Sequence, residues 1–167
     1  MNLSEITERG IAPALALLPV RMDSYEARIM LLTIGQQESR FEYRRQMVGS
    51  PPQPTGPAMG FWQFERGGGV KGVMTHPAAV SLTRMLCEAR GVPFEADAIW
   101  RALQNDDVLA AGLARLLLFT DPKPLPDAKA VDAAWNYYVR TWRPGKPHPD
   151  KWGGYHLASC RFLGLAS

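Results

Sequence analysis

Glu38 has the residue type and the spacing for chemistry. Ala27, Leu31, Ile34, Glu38 and Phe41 recur at intervals of 4, 3, 4 and 3 along the chain. These intervals follow one face of a helix, and four of the five positions are apolar. A carboxylate on an apolar stripe is costly to ionise, so its pKa should rise. A carboxylic acid that keeps its proton near neutral pH is the group needed to protonate a leaving oxygen. The competing reading puts Glu38 at the rim of the stripe, solvated or paired with Arg28 or Arg45.

Other chemistries have weaker support. The histidines, His76, His148 and His156, do not stand at metal-ligand spacing. Neither His-Glu-x-x-His nor Cys-x-x-Cys occurs, so no metal or other cofactor is expected. Ser39 has no evident histidine partner, and there is no Gly-x-Ser-x-Gly elbow. Gly67-Gly68-Gly69-Val70-Lys71 lacks the Gly-Lys-Ser/Thr ending of a phosphate loop and reads as a flexible turn. Carboxylates and aromatics remain. Phe61, Trp62, Gln63, Trp135, Asn136, Tyr137, Tyr138 and Trp142 lie in or beside loops. Aromatic faces stack on sugar rings, while amides and carboxylates bond hydroxyl and N-acetyl groups, so this set suits a sugar polymer. Aromatics at helical spacing also pack cores, which is the alternative for Phe61, Trp62 and Trp135.

These residues need elements to position them. Residues 3–18 suit a short amphipathic helix disturbed by Gly10 and Pro13 and ended by Pro19. Asp23 with Glu26 forms a capping-box pattern and predicts a helix from there to about Met47. Residues 49–60 hold four prolines and three glycines and must be a loop. Helices are predicted from His76-Pro77 to Arg90, closed by Gly91, and over 94–104. Asn105 or Asp106 caps a helix over 107–119 that is apolar nearly all round and should be central. Residues 127–142 and a stretch from about His156 complete the helices. A short hairpin fits within 58–74. The expected fold class is mainly α, a single domain over 1–167 with about seven helices.

Composition sets further bounds. The 167 residues suit one domain with a core of its own, and 46% hydrophobic with 21% charged residues excludes global disorder. A net charge of +3 is mild and scattered, so no nucleic-acid partner is expected. Cys87 and Cys160 do not amount to a disulfide framework and are expected as buried thiols, although they could pair. The N-terminus carries acids where a secretory signal has bases, and Ala14–Val20 is too short to span a membrane. The expectation is a monomer made in the cytoplasm without a signal and without stable membrane insertion.

The order of motifs adds to this reading. Glu38-Ser39-Arg40-Phe41 resembles the Glu-Ser-x-Phe motif of lytic transglycosylases with a lysozyme-like fold. Gly60-Phe61-Trp62-Gln63 is similar to that family's Gly-Leu-Met-Gln. Asn105 through Gly112 resembles the element that opens its central helix. Ala134-Trp135-Asn136-Tyr137-Tyr138 resembles its Ala-Tyr-Asn-Ala-Gly, with Trp135 in place of the tyrosine and no glycine after it.

The resemblance implies a lysozyme-like, goose-type fold and cleavage of the MurNAc–GlcNAc β-1,4 bond of peptidoglycan strands. It makes Glu38 the general acid, and then the base that draws a proton from the MurNAc C6 hydroxyl as a 1,6-anhydro ring closes. It implies substrate contacts from Ser39, Gln63, Phe61, Trp62, Trp135, Asn136 and Tyr137. A hydrolytic lysozyme would add a second carboxylate about 5–9.5 Å from the first, for which Glu65 is the candidate. A wall-binding or virion structural module without turnover is the alternative outside enzymes. Action on the wall without a signal sequence fits a phage endolysin released through a holin, a virion-carried enzyme or a specialised secretion system.

Overall fold

The computed structural model describes residues 1–165. Its organising element is α7 (Asp107–Phe119), capped by the Asp106 side chain, which accepts from Leu109 N. Every residue from Leu109 to Leu116 is buried, together with Leu118, as an all-round apolar helix requires. Segments that precede and follow it in the chain pack against it.

The N-terminal segment is one bent helical run, α1 (Leu3–Ile6), a wide π turn (Thr7–Ile11) and α2 (Ala12–Ala16). Ala12 N bonds Thr7 O, one residue further back than in an α-helix. Pro13 has no N–H to donate, so a regular ladder cannot pass through it. Gly10 lets this run sit on α7, because a Cβ there would lie 3.2 Å from Asp107 O.

The second long helix, α3 (Tyr25–Ser39), begins one residue later than the capping-box pattern predicts. Ser24 is the cap, accepting from Ala27 N, and Asp23 instead pairs with Arg28 at 2.6 Å. It also stops well short of Met47. Arg40 and Phe41 adopt left-handed φ values of 53° and 55°. The reversal is tertiary in origin. The Phe41 ring folds back onto Gly35, where a Cβ would come within 2.2 Å of two of its ring atoms. It also packs edge-on against Phe61 and Trp62.

The predicted hairpin is present as β1 (Ala58–Met59) and β2 (Phe64–Glu65), antiparallel, with Ala58 opposite Glu65 and Met59 opposite Phe64. After it come a π turn (Arg66–Val70) and α4 (Lys71–Thr75), a helix not expected from the sequence. The His76-Pro77 turn then delays α5 (Val80–Ala89), because Ala78 N bonds His76 Nδ1 in place of a helical carbonyl. Gly91 has the expected positive φ of 65° past the end of α5. α6 (Ala96–Ala102), α8 (Val131–Trp142) and α9 (Trp152–Phe162) complete the chain.

The protein is mainly α, with this two-stranded hairpin the only sheet among the described residues. The N-terminal run, the hairpin and the C-terminal helices all contribute to one buried cluster. Cys87 and Cys160 are buried and free. No described helix is long and apolar enough to cross a membrane.

Candidate active site

The site is built where α3 ends. Glu38 and Ser39 are its last two residues, and the left-handed turn behind them frees the final helical turn to face a groove. α9 holds α3 from one side. Thr33 Oγ1 donates to Ser159 Oγ at 3.1 Å, and Gln36 Nε2 donates to the same oxygen at 3.0 Å.

The hairpin turn holds the next pair. Gly60 has φ 74° and Gln63 φ 52°, and Gln63 donates to Gly60 O from both its backbone N and its Nε2, the latter at 2.8 Å. The Gly-x-x-Gln spacing thus closes a tight turn. Leu103 O approaches this turn so closely that a Cβ on Gly60 would lie 3.1 Å from it. Ser39 ties helix to hairpin: its Oγ donates to Phe61 O at 2.7 Å and accepts from Phe41 N.

The third contribution comes from α8. The Tyr138 hydroxyl donates to Glu38 Oε1 at 2.7 Å. It does so across a hundred residues of sequence, from a side chain stacked on Trp152, with ring centroids 5.0 Å apart. The other Glu38 oxygen has no hydrogen-bond partner among the described residues and is left to the groove. Neither arginine of the rim reading reaches Glu38. Arg28 is held by Asp23, and Arg45 Nε donates to Gly56 O.

Burial raises the Glu38 pKa to about 7, and the Tyr138 hydrogen bond, which favours the carboxylate, opposes part of that rise. The Tyr138 hydroxyl is itself pushed far above the ordinary phenol range, by burial and by the adjacent carboxylate. Near neutral pH Glu38 therefore carries its proton in about half of the molecules, and the tyrosine stays neutral.

The groove in front of Glu38 has a volume of about 1630 Å³, enough for several sugar units, and Ser39, Gln63 and Glu65 line it too. Glu65 is exposed and has no ion-pair partner among the described residues. Among the described residues no three His, Cys, Asp or Glu side chains gather as a metal ion would require.

The other predicted contacts lie elsewhere. Phe61 and Trp62 are 1% and 0% exposed and belong to the core, with Trp62 Nε1 donating to Leu31 O. Tyr137 is buried and donates to Leu118 O. Trp135 packs against Trp152 and Tyr138 and does not line the groove. Asn136 is exposed but does not line the groove. The Ser39 hydroxyl is spent on internal bonds, which gives it a role in joining α3 to the hairpin.

The aromatic surface of the groove comes instead from Tyr138 and Trp142 on α8, Phe64 of the hairpin, and Tyr43 and Tyr155. Trp142 is fixed by its Nε1 bond to Trp62 O and by an edge contact with Phe64. The signal for this was available in part. Tyr138 and Trp142 are four apart on one helix face and so must point the same way. Comparison of the chain with protein-family models, curated proteins and solved structures finds no match.

Proposed function

We propose that this protein cleaves the glycan strands of peptidoglycan at the MurNAc–GlcNAc β-1,4 bond as a lytic transglycosylase. The observation that carries the reading is Glu38. It is a carboxylic acid with a pKa near 7, hydrogen-bonded by Tyr138, at the wall of a groove with aromatic surfaces. The motif resemblance supplies the substrate class, and the lysozyme-like fold assignment rests on it as well.

In this mechanism protonated Glu38 gives its proton to the glycosidic oxygen as the bond to the MurNAc anomeric carbon breaks. The resulting carboxylate, its charge supported by the Tyr138 hydroxyl, takes the proton of the MurNAc C6 hydroxyl. That oxygen closes on the anomeric carbon and forms the 1,6-anhydro sugar. The proton returns to Glu38, so neither water nor a second carboxylate takes part.

A hydrolytic muramidase is the second reading, because unpaired Glu65 lines the same groove and could activate a water. Mass spectrometry of fragments released from purified sacculi separates the two, since anhydro products are lighter by one water. The expected result is anhydro-muropeptides from wild type, and from Glu38→Gln a rate lower by about 10²–10⁴ with the fold retained. Reducing-end products would favour hydrolysis. Intact sacculi would overturn both and leave a wall-binding module, whereas full activity in Glu38→Gln would remove Glu38 from the catalytic role.

A further inference from the structure

The connection between α8 and α9 reads Arg143-Pro144-Gly145-Lys146-Pro147-His148-Pro149-Asp150-Lys151. Arg143, Lys146 and Lys151 are exposed and line the same groove as Glu38. Three prolines restrict the backbone of this loop. Gln37, the residue before Glu38, donates from Nε2 to His148 O at 2.9 Å and fastens the loop beside the acid. Lys146 and Lys151 make no hydrogen bond or ion pair among the described residues, and the Arg143 side chain reaches only the Arg140 carbonyl.

The rest of the lining shares this bias. Arg45 and Lys71 add two more cations without an acidic partner among the described residues. Asp121 is taken up by Arg140 at 2.5 Å. Besides Glu38, only Glu65 and Asp150 remain as unpaired acids in the lining. A neutral sugar chain has no use for such a field, whereas an anionic substituent on that chain does.

On the reading of the groove as a glycan-cleaving site, we propose that the 143–151 loop recognises the carboxylates of the peptide stems carried by the muramyl sugars. The stem belongs to the same polymer as the bond facing Glu38. Its carboxylates would meet Arg143, Lys146 and Lys151 without a second binding event. The loop then selects strands whose stems are charged.

The test uses Glu38→Gln protein, which leaves the strand uncut, and fluorescently labelled soluble glycan strands with intact stems. A second batch of the same strands has its carboxylates converted to methylamides. Three exposed pairs of this kind change binding by about tenfold in total. The expected result at low salt is binding about tenfold tighter to the charged strands. That preference shrinks near physiological salt, where the screening length is about 8 Å, and falls towards one when Arg143→Gln, Lys146→Gln and Lys151→Gln are added. Equal binding to both strands, or a triple variant that weakens both by the same factor, overturns the proposal. Cleavage by wild type is measured alongside. No released fragments with the charge preference intact would remove the cleavage reading and leave the stem contact standing.

Discussion

At the residue scale the proposed function turns on one proton. Glu38 is pushed up to about 7 by burial, while the hydrogen bond from Tyr138 pulls the other way. On the proposed mechanism the acid must be protonated at the start of the reaction, so activity should be flat below about pH 7 and fall about tenfold per unit above it. Tyr138→Phe removes the group that favours the carboxylate. The Glu38 pKa should then rise, and the alkaline limb of the pH–rate profile should move to higher pH while kcat drops by an order of magnitude. A drop in kcat with the limb unmoved would reduce Tyr138 to a packing role. The sequence drew attention to Trp135 as the replacement for a family tyrosine. The hydroxyl that reaches Glu38 comes three residues later on the same helix, from Tyr138.

At the element scale, the decisive feature is the abrupt end of α3. Apolar spacing carries on to Phe41, so sequence periodicity extends the helix past the point where it stops. The stop depends on a slot: Gly35 lacks the Cβ that would collide with the Phe41 ring. Phe41 is 1% exposed and boxed in by Phe61 and Trp62, so it cannot move cheaply. Gly35→Ala should therefore cost about 1–3 kcal/mol in urea unfolding, the usual penalty for overpacking. Activity should fall further than the loss of folded protein explains, because Glu38 and Ser39 sit on the turn that Phe41 anchors. An unchanged midpoint would show that the slot has room. The hairpin obeys the same logic. Phe61 and Trp62 looked like groove walls because they lie between loops, yet the turn that Gln63 closes onto Gly60 O directs both rings inward.

At the scale of the whole molecule, the acid is carried at the expense of stability. The folded-state pKa of Glu38, about 7, lies above its ordinary value of 4.5. Between those values the unfolded chain has released a proton that the folded chain keeps. Stability therefore falls as pH rises through that window, by about 3 kcal/mol in all, and levels off above it. Glu38→Gln carries no such proton. Chemical denaturation at pH 5 and pH 8 should show wild type losing stability relative to the variant across the interval, with the variant the more stable at pH 8. Parallel pH profiles would mean that Glu38 ionises in the folded protein as freely as in the unfolded chain.

The sequence by itself determined the mainly helical class, the central place of α7 and the identity of the candidate acid. These depend on local patterns: apolar periodicity, a capping aspartate and one carboxylate set into an apolar stripe. It also allowed a short hairpin within 58–74, where β1 and β2 lie. What it left undecided was which side of each element faces the groove. The inward rings of Phe61 and Trp62, the buried hydroxyls of Ser39 and Tyr137, and the reach of Tyr138 across to Glu38 are set by how distant elements meet. Each is a competition for the same interior space and the same backbone carbonyls, and the winner depends on contacts between residues far apart in the chain. Glu38 was therefore legible as an acid, whereas its hydrogen-bond donor and the aromatic walls beside it became visible only once α3, α8 and the hairpin were packed together.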